Sequence, residues 1–228
     1  MHGSGGSVPA WRQARNAWLC LILLMAGAQD AAPQNASHPS LNAQLLLAAR
    51  ESDLPKALQL LEKGAAVNSR NRLGKSALLI ASEKGNEALA ARLIAAGADI
   101  DLPSLDGVTP LMAAAYTGNA GLVDRLLGAG ARIEPTDRMR KPAAVYAAGQ
   151  GHSEALDALL RSGLDVNAAY EHKLTLLMWA AGQGHGGAIR LLLDRGARTD
   201  LMDDRGMTAG DIARGAGHGD VAEAAGLR

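Results

Sequence analysis

Gly107-Val-Thr-Pro-Leu-Met-Ala-Ala-Ala-Tyr-Thr-Gly-Asn119 opens a unit that recurs every 33 residues along the chain. The opening Thr109-Pro-Leu-Met112 has counterparts in Ser76-Ala-Leu-Leu79 and Thr175-Leu-Leu-Met178. One glycine holds the same place in each unit, and these glycines are Gly85, Gly118, Gly151, Gly184 and Gly217. A fixed period of this length indicates a stacked repeat architecture, in which each unit packs mainly on its two neighbours.

Each unit contains two short apolar segments separated by the shared glycine. In the second segment, Leu122 and Leu126 stand four residues apart, and Val123 and Leu127 repeat that spacing, as expected for one buried face of a helix. Gly130 follows and is a typical signal for the end of a helix. The pattern therefore predicts an inner helix, a turn at the glycine, a longer outer helix and a hairpin finger that leads into the next unit.

At these residues the sequence resembles the ankyrin repeat family, whose pattern is Gly-x-Thr-Pro-Leu-His-x-Ala-Ala-x-x-Gly-His followed by leucines and Gly-Ala-Asp-x-Asn. The resemblance extends over residues 41–228 and includes Gly163-Leu-Asp-Val-Asn167. It implies an all-α ankyrin-repeat solenoid of about six repeats with β-hairpin-like fingers, in which the first and last repeats act as caps.

The resemblance has one systematic exception, because the histidine that follows Thr-Pro-Leu in the family pattern is never present. The residues in its place are Leu79, Met112, Val145, Met178 and Asp211. In the family that histidine joins neighbouring repeats by hydrogen bonds, so its replacement weakens the expectation of a rigid stack.

Residues 1–28 have the pattern of a secretory signal peptide. Arg12 and Arg15 precede an apolar run, and Ala26-Gly-Ala28 suits a cleavage site. The alternative is an uncleaved membrane anchor, for which the apolar run is short. Residues 29–40 have the composition of a flexible linker.

Composition excludes several classes of function. The chain is formally neutral, and removal of residues 1–28 leaves a formal charge of −2, which argues against a nucleic-acid or polybasic membrane role. It is 48% hydrophobic but only 3% aromatic, as suits a narrow solenoid core. The Ala, Gly and Arg bias with few Lys is typical of a GC-rich bacterial genome. For an exported bacterial protein the compartment would be the periplasm, so we expect a periplasmic or secreted protein.

Three histidines, His152, His185 and His218, occupy equivalent positions in successive repeats. Helices pack about 8–10 Å apart, whereas histidine–zinc bonds are about 2.0–2.1 Å, so a column of this kind cannot converge on one metal ion. We expect each histidine to help close the turn between the two helices of its own repeat. No nucleophile, base and acid set is visible, and we expect no enzyme activity, metal or cofactor.

The candidate binding residues are those that depart from the repeat pattern. Arg138-Met-Arg-Lys141 and Tyr170-Glu-His-Lys173 replace the usual finger sequence in two adjacent repeats. In the family, the finger tips and the exposed ends of the inner helices form the concave recognition face. We therefore predict that a partner contacts Tyr116, Arg138, Met139, Arg140, Lys141, Gln150, Tyr170, Glu171, His172 and Gln183. The alternative is ordinary drift of solvated loops. Tyr146 and Trp179 take an apolar position of the inner helix, and we expect them to pack in the core.

The resulting hypothesis is a monomeric, non-catalytic scaffold or regulator that binds a protein partner outside the cytoplasm, without contacts to nucleic acid or, after signal cleavage, to membrane. One alternative is an inhibitor or immunity-type protein for a single partner. Another is a metal-binding or enzymatic protein that uses the concave groove.

We predict that the mature protein begins at or near Gln29, because Ala26-Gly-Ala28 follows the apolar run. N-terminal sequencing of the exported protein checks this. A mature chain that still starts at Met1 would contradict the signal-peptide interpretation.

Overall fold

The computed structural model describes residues 40–227. The predicted signal peptide and all but the last residue of the predicted linker lie outside this range. The described part of the chain contains twelve α-helices in alternating inner and outer positions, one short 3-10 helix at Glu171–Lys173, and no strand. Its only β-type pairing is an isolated bridge between Arg70 and Ser76. The predicted all-α repeat solenoid is therefore confirmed.

The helices form two stacked rows. The inner row consists of α1 (Leu41–Glu51), α3 (Ala77–Glu83), α5 (Pro110–Thr117), α7 (Ala143–Gly149), α9 (Leu176–Gly182) and α11 (Ala209–Gly215). The outer row consists of α2 (Leu54–Glu62), α4 (Glu87–Ala95), α6 (Ala120–Gly128), α8 (Ser153–Arg161), α10 (Gly186–Asp194) and α12 (Gly219–Ala224). Each inner helix packs on the next inner helix and on its own outer partner. None of these helices has the length and apolar character needed to cross a membrane.

A column of alanines runs through the centre of the inner row. Its members, all buried, are Ala48, Ala81, Ala114, Ala147, Ala180 and Ala213. A methyl side chain at this position allows neighbouring helices to approach closely, so the core is a thin ribbon of small and branched aliphatic residues. This explains how a chain without phenylalanine can bury a continuous core.

In three repeats, the residue that replaces the family histidine caps the N-terminus of the inner helix. The Thr109 hydroxyl accepts a hydrogen bond from Met112 N at 3.3 Å, and Thr109 N donates to Met112 Sδ at 3.5 Å. Thr175 and Met178 repeat this reciprocal arrangement. In the last repeat a carboxylate replaces the sulfur, and the hydroxyl and backbone N–H of Thr208 together with Arg214 lower the pKa of Asp211 to about 2. These side chains satisfy donors that the first turn of a helix otherwise leaves unpaired.

The histidine column joins neighbouring repeats. His152 Nε2 lies 2.9 Å from the carbonyl oxygen of Tyr116, and His185 Nε2 lies 3.0 Å from that of Gly149, in each case in the preceding repeat. Because a carbonyl can only accept, each Nε2 carries the proton. The outer helices α8, α10 and α12 begin after these histidines without a side-chain cap bond. Each histidine does close the turn of its own repeat, but through its backbone N–H, which donates to the carbonyl oxygen of Ala147, Ala180 or Ala213. The rings of His152 and His185 reach back across the interface instead.

The glycine in the turn makes this reach possible. Gly118 has a φ of 73°, a left-handed conformation that favours glycine. A Cβ at Gly118 would lie 2.5 Å from His152 Nδ1, so only a hydrogen atom fits beneath the imidazole ring. The rings of His185 and His218 lie in the same way against Gly151 and Gly184.

We predict that Leu126→Ala lowers the free energy of unfolding by about 2–5 kcal/mol, the usual cost of truncating a buried leucine. Leu126 lies on α6 with no exposed surface. Equilibrium denaturation in urea measures the change. Arg125→Ala on the exposed side of the same helix is the control and should stay within about 0.5 kcal/mol of the parent. A neutral Leu126→Ala would show that this side chain does not face the core.

Candidate functional site

Five hairpin fingers project between successive inner helices. We number them finger 1 (residues 71–75), finger 2 (104–108), finger 3 (137–141), finger 4 (170–174) and finger 5 (203–207). A backbone hydrogen bond of 2.9–3.2 Å closes each finger between its first and last residues. In every finger but the fourth, the side chain of the first residue also accepts from two N–H groups of the tip, as Asp137 Oδ1 does from Met139 N and Lys141 N. Finger 4 begins with Tyr170, which lacks a short acceptor side chain.

The fourth residue of each finger adopts a left-handed backbone conformation. Glycine holds this position in fingers 1, 2 and 5, whereas Arg140 and Lys173 hold it in fingers 3 and 4, with φ values of 55° and 57°. This conformation costs a non-glycine residue about 1–2 kcal/mol. His172, next to Lys173, is also left-handed, with a φ of 59°. Backbone strain therefore concentrates in two adjacent fingers.

A side chain at this fourth position points towards the next finger. A Cβ on Gly107 would lie 3.1 Å from Asp137 Cα, which is the first residue of finger 3. Glycine therefore lets neighbouring fingers pack backbone against backbone. Arg140 carries a Cβ at this position, so finger 4 meets a side chain where finger 3 meets only the glycine of finger 2.

Backbone hydrogen bonds between fingers show the result. Leu105 N donates to Leu73 O at 3.0 Å, Arg138 N to Asp106 O at 2.9 Å and Asp204 N to His172 O at 3.1 Å. The equivalent bond between fingers 3 and 4 would join Glu171 N to Met139 O. It is missing from the backbone bonds of the described chain, and neither atom finds another protein partner there. The ladder of fingers is thus interrupted where the glycine pattern first fails.

A cleft opens at this interruption, and we call it the finger 3–4 cleft. Its volume is about 340 Å³. Its lining residues are Met139, Arg140, Lys141, Val145, Tyr170, Glu171, His172, Leu174 and Trp179. Apolar side chains line much of the cleft, and polar or charged side chains line the rest. Six of the ten sequence-predicted contact residues therefore lie around one cavity.

Lys141 and Trp179 separate this cleft from a second cavity. The Lys141 Nζ lies 4.7 Å from the centroid of a Trp179 ring, within the range of a cation–π contact. The second cavity has a volume of about 320 Å³ and lies over α7 and α9. Gln150 and Gln183, both predicted contact residues, are exposed at its edge.

The two remaining predicted residues flank the cleft. Arg138 points away from it and pairs with Asp106 of finger 2 at 3.1 Å. Tyr116 is 52% exposed and meets the ring of Tyr146 edge to face, with the ring centroids 5.8 Å apart. The Tyr146 hydroxyl donates a short hydrogen bond to Asp137, and burial together with this carboxylate raises the pKa of Tyr146. Tyr116 is thereby connected to the base of finger 3.

Tyr170 differs from the expectation of a projecting finger residue. Its side chain is half-buried, and its hydroxyl is buried without a hydrogen-bond partner. Burial, and secondarily the charge of Asp165, raises the pKa of Tyr170 to about 12. The residue therefore forms part of the cleft wall and offers less free contact area than a tip residue would.

Basic residues outnumber acidic residues in fingers 3 and 4. They carry four basic and two acidic residues, a formal charge of +2 in a chain that is neutral overall. Arg140 Nε lies 3.9 Å from the Glu171 carboxylate, at the outer limit of an ion pair. No hydrogen bond to the Arg140 guanidinium occurs in the described structure, and its side chain is 77% exposed. Its forked donors are thus available to a ligand.

Sequence reasoning missed the apolar interior of the site. Val145, Leu174 and Trp179 line the cleft, and Trp179 borders both cavities. Trp179 and Tyr146 are half-buried, so the expectation that they pack in the core is only partly right. The sequence did contain a signal for this. Tyr146 and Trp179 share a repeat position that the small residue Ala113 holds one repeat earlier, so a large ring there must extend beyond the core.

Two other observations bear on alternative sites. In residues 40–227, no group of three or more His, Cys, Asp or Glu side chains is arranged to hold a metal ion. A wider groove of about 680 Å³ lies along the first two repeats, with Arg50, Arg70 and Arg72 among its lining residues. The glycine pattern of the fingers is intact there, and none of the predicted contact residues lies in it.

Comparison with known proteins supports the repeat assignment. A family model described as ankyrin repeats (3 copies) matches residues 45–137 and again residues 143–224. The residues between the two matches, 138–142, include all of finger 3 but its first residue. The comparison with curated proteins finds no match.

We predict that Arg140→Gly raises the free energy of unfolding by about 0.5–1 kcal/mol, because relief of the left-handed strain exceeds the entropy cost of glycine. Thermal and urea denaturation measure the change. Arg138→Gly is the matched control, because Arg138 is also an exposed arginine but lies outside the left-handed region. This substitution should lower the free energy of unfolding by about 0.5–1 kcal/mol. Equal effects of the two substitutions would show that Arg140 is not strained.

Proposed function

Because the chain belongs to the ankyrin repeat family, whose repeats generally mediate protein–protein interaction, we propose that it is a scaffold or regulator whose fingers 3 and 4 recognise a protein partner outside the cytoplasm. Ankyrin repeat domains are typically non-catalytic, which agrees with the lack of a catalytic side-chain set in the sequence. In this proposal the repeats bind the partner through their surface, and any catalytic activity belongs to the partner.

The proposal rests on three departures from the repeat pattern that occur together at fingers 3 and 4. The ladder of backbone bonds is interrupted between fingers 3 and 4, non-glycine residues occupy strained positions there, and a partly apolar cleft opens beside them. Strained residues persist when surrounding structure holds them, and they concentrate at binding and catalytic sites. Met and Arg, as at Met139 and Arg140, are enriched in protein interfaces.

The site of action is proposed from the first 28 residues. Their charged start, apolar run and Ala26-Gly-Ala28 support export, and the composition supports a bacterial source, hence the periplasm or the exterior. A partner should accordingly be sought among exported proteins. We further propose that the protein acts as a monomer.

We predict that changing Arg138 and Arg140 together to Ala weakens binding of the captured partner by at least about 2 kcal/mol, the scale of a hot-spot arginine. Affinity capture from the exported fraction with the immobilised chain identifies the partner, and titration calorimetry compares the variants. The fold should survive, since the two side chains are 73% and 77% exposed and bury no core surface.

The control is the double change of Arg50 and Lys56 to Ala in the first repeat, which should leave the affinity almost unchanged. Arg50 lines the wide groove of the first repeats, so this comparison also separates the two surfaces. If the finger variant binds as well as the parent, fingers 3 and 4 are not the recognition surface.

A further inference from the structure

The finger 3–4 cleft has a chemistry that restricts what can occupy it. The chain supplies an apolar interior from Val145, Leu174 and Trp179, and a charged entrance from Arg140, Lys141 and Glu171. Its volume of about 340 Å³ lies at the lower end of the range for ligand pockets, about 300–1,000 Å³. This suits a small group such as an apolar side chain.

The entrance favours negative charge. Arg140 and Lys141 outweigh Glu171, and fingers 3 and 4 together carry a formal charge of +2. The Arg140–Glu171 contact is long, and both side chains are open to solvent, so this pair holds the guanidinium weakly. A carboxylate from a ligand can therefore take the forked donors of Arg140 with little competition.

The interrupted ladder adds a backbone feature. Elsewhere each finger donates one N–H group to the carbonyl oxygen of the finger before it. At the cleft, Glu171 N–H and Met139 C=O lack that partner, and both residues line the cavity. One unpaired donor and one unpaired acceptor at a cleft are what an extended peptide backbone can bond to, as in the addition of a strand to a sheet edge.

We propose that the finger 3–4 cleft binds an extended, acidic segment of a partner protein, with an apolar side chain in the cleft beside Trp179 and a neighbouring carboxylate on Arg140. This inference rests on the proposed function and specifies its ligand. Arg140 contributes to the site in two ways, because its Cβ takes up space that glycine leaves open between fingers 2 and 3 and its guanidinium supplies the charge.

A randomised heptapeptide library, displayed on phage and selected on the immobilised full chain, tests the proposal. The selected sequences should pair an aspartate or glutamate with an adjacent apolar residue. The consensus heptapeptide, labelled with fluorescein, is then titrated by fluorescence anisotropy. Arg140→Gly should weaken its binding about 30-fold, the factor that corresponds to a hot-spot arginine. Arg50→Ala, on the first repeat, should leave it unchanged.

A second readout reports the location of the peptide. The indole N–H resonance of Trp179, assigned in a nitrogen-15 spectrum with Trp179→Phe, should shift when the peptide is added. Arg140→Lys retains the charge but loses the forked geometry, so its affinity should fall between those of the parent and Arg140→Gly.

The outcomes separate this inference from the function on which it rests. If the captured partner is sensitive to the Arg138 and Arg140 double variant but the selected peptides lack an acidic residue, or bind Arg140→Gly as well as the parent, only the inference is overturned. If the captured partner ignores the double variant, the proposed function is overturned as well. A chain that sediments as a dimer, and as a monomer when Arg140 is glycine, would assign the cleft to a second copy and also overturn the inference.

Discussion

The structure depends on the close approach of successive repeats at the turn between the inner and outer helices. At Gly118 a left-handed backbone places the turn directly beneath the ring of His152, so that a Cβ there would be 2.5 Å from the imidazole. The same ring reaches the Tyr116 carbonyl of the preceding repeat. The contact thus fixes both the separation and the register of two repeats. With the inner-helix position of the family histidine taken by methionine or another residue, this second histidine column provides direct bonds between repeats.

In the fingers, a second set of left-handed glycines likewise allows neighbouring repeats to approach closely. Gly107 has a φ of 80° and lies so near finger 3 that a side chain would press on its backbone. Where Arg140 replaces glycine, the neighbouring finger no longer makes its backbone bond, and a cavity takes its place. Lys173 shows that the replacement alone is insufficient, since finger 5 still bonds to finger 4 through Asp204 N. Finger 4 adapts there by turning His172 into the left-handed region and by placing Asp204 near both His172 and Lys173.

The sequence alone predicted the helices, the turns and the fingers, because all three follow from a 33-residue repeat of apolar and glycine positions. It also predicted which fingers deviate, since Arg138-Met-Arg-Lys141 and Tyr170-Glu-His-Lys173 depart from the pattern. It could not predict the cleft, which arises from a missing hydrogen bond between residues 32 positions apart. It also could not predict the surroundings of Trp179. The repeat position of Trp179 indicates an inner helix, but the burial of its ring depends on a side chain of the preceding repeat, Lys141 of finger 3.

The energetics of fingers 3 and 4 favour a ligand as the reason for their unusual sequence. A left-handed arginine costs about 1–2 kcal/mol, and the Glu171 contact of Arg140, long and exposed, offsets little of it. Finger 4 also gives up the side-chain acceptor that stabilises the tips of the other fingers, because Tyr170 stands where they have Asn, Ser or Asp. The Tyr170 ring packs against the core in return, but Arg140 makes no contact within the described chain that matches its strain. A carboxylate bonded to Arg140 and an apolar group enclosed beside Trp179 would supply such contacts only in the bound state. Under the proposed function, these two fingers serve binding energy and not the stability of the free protein.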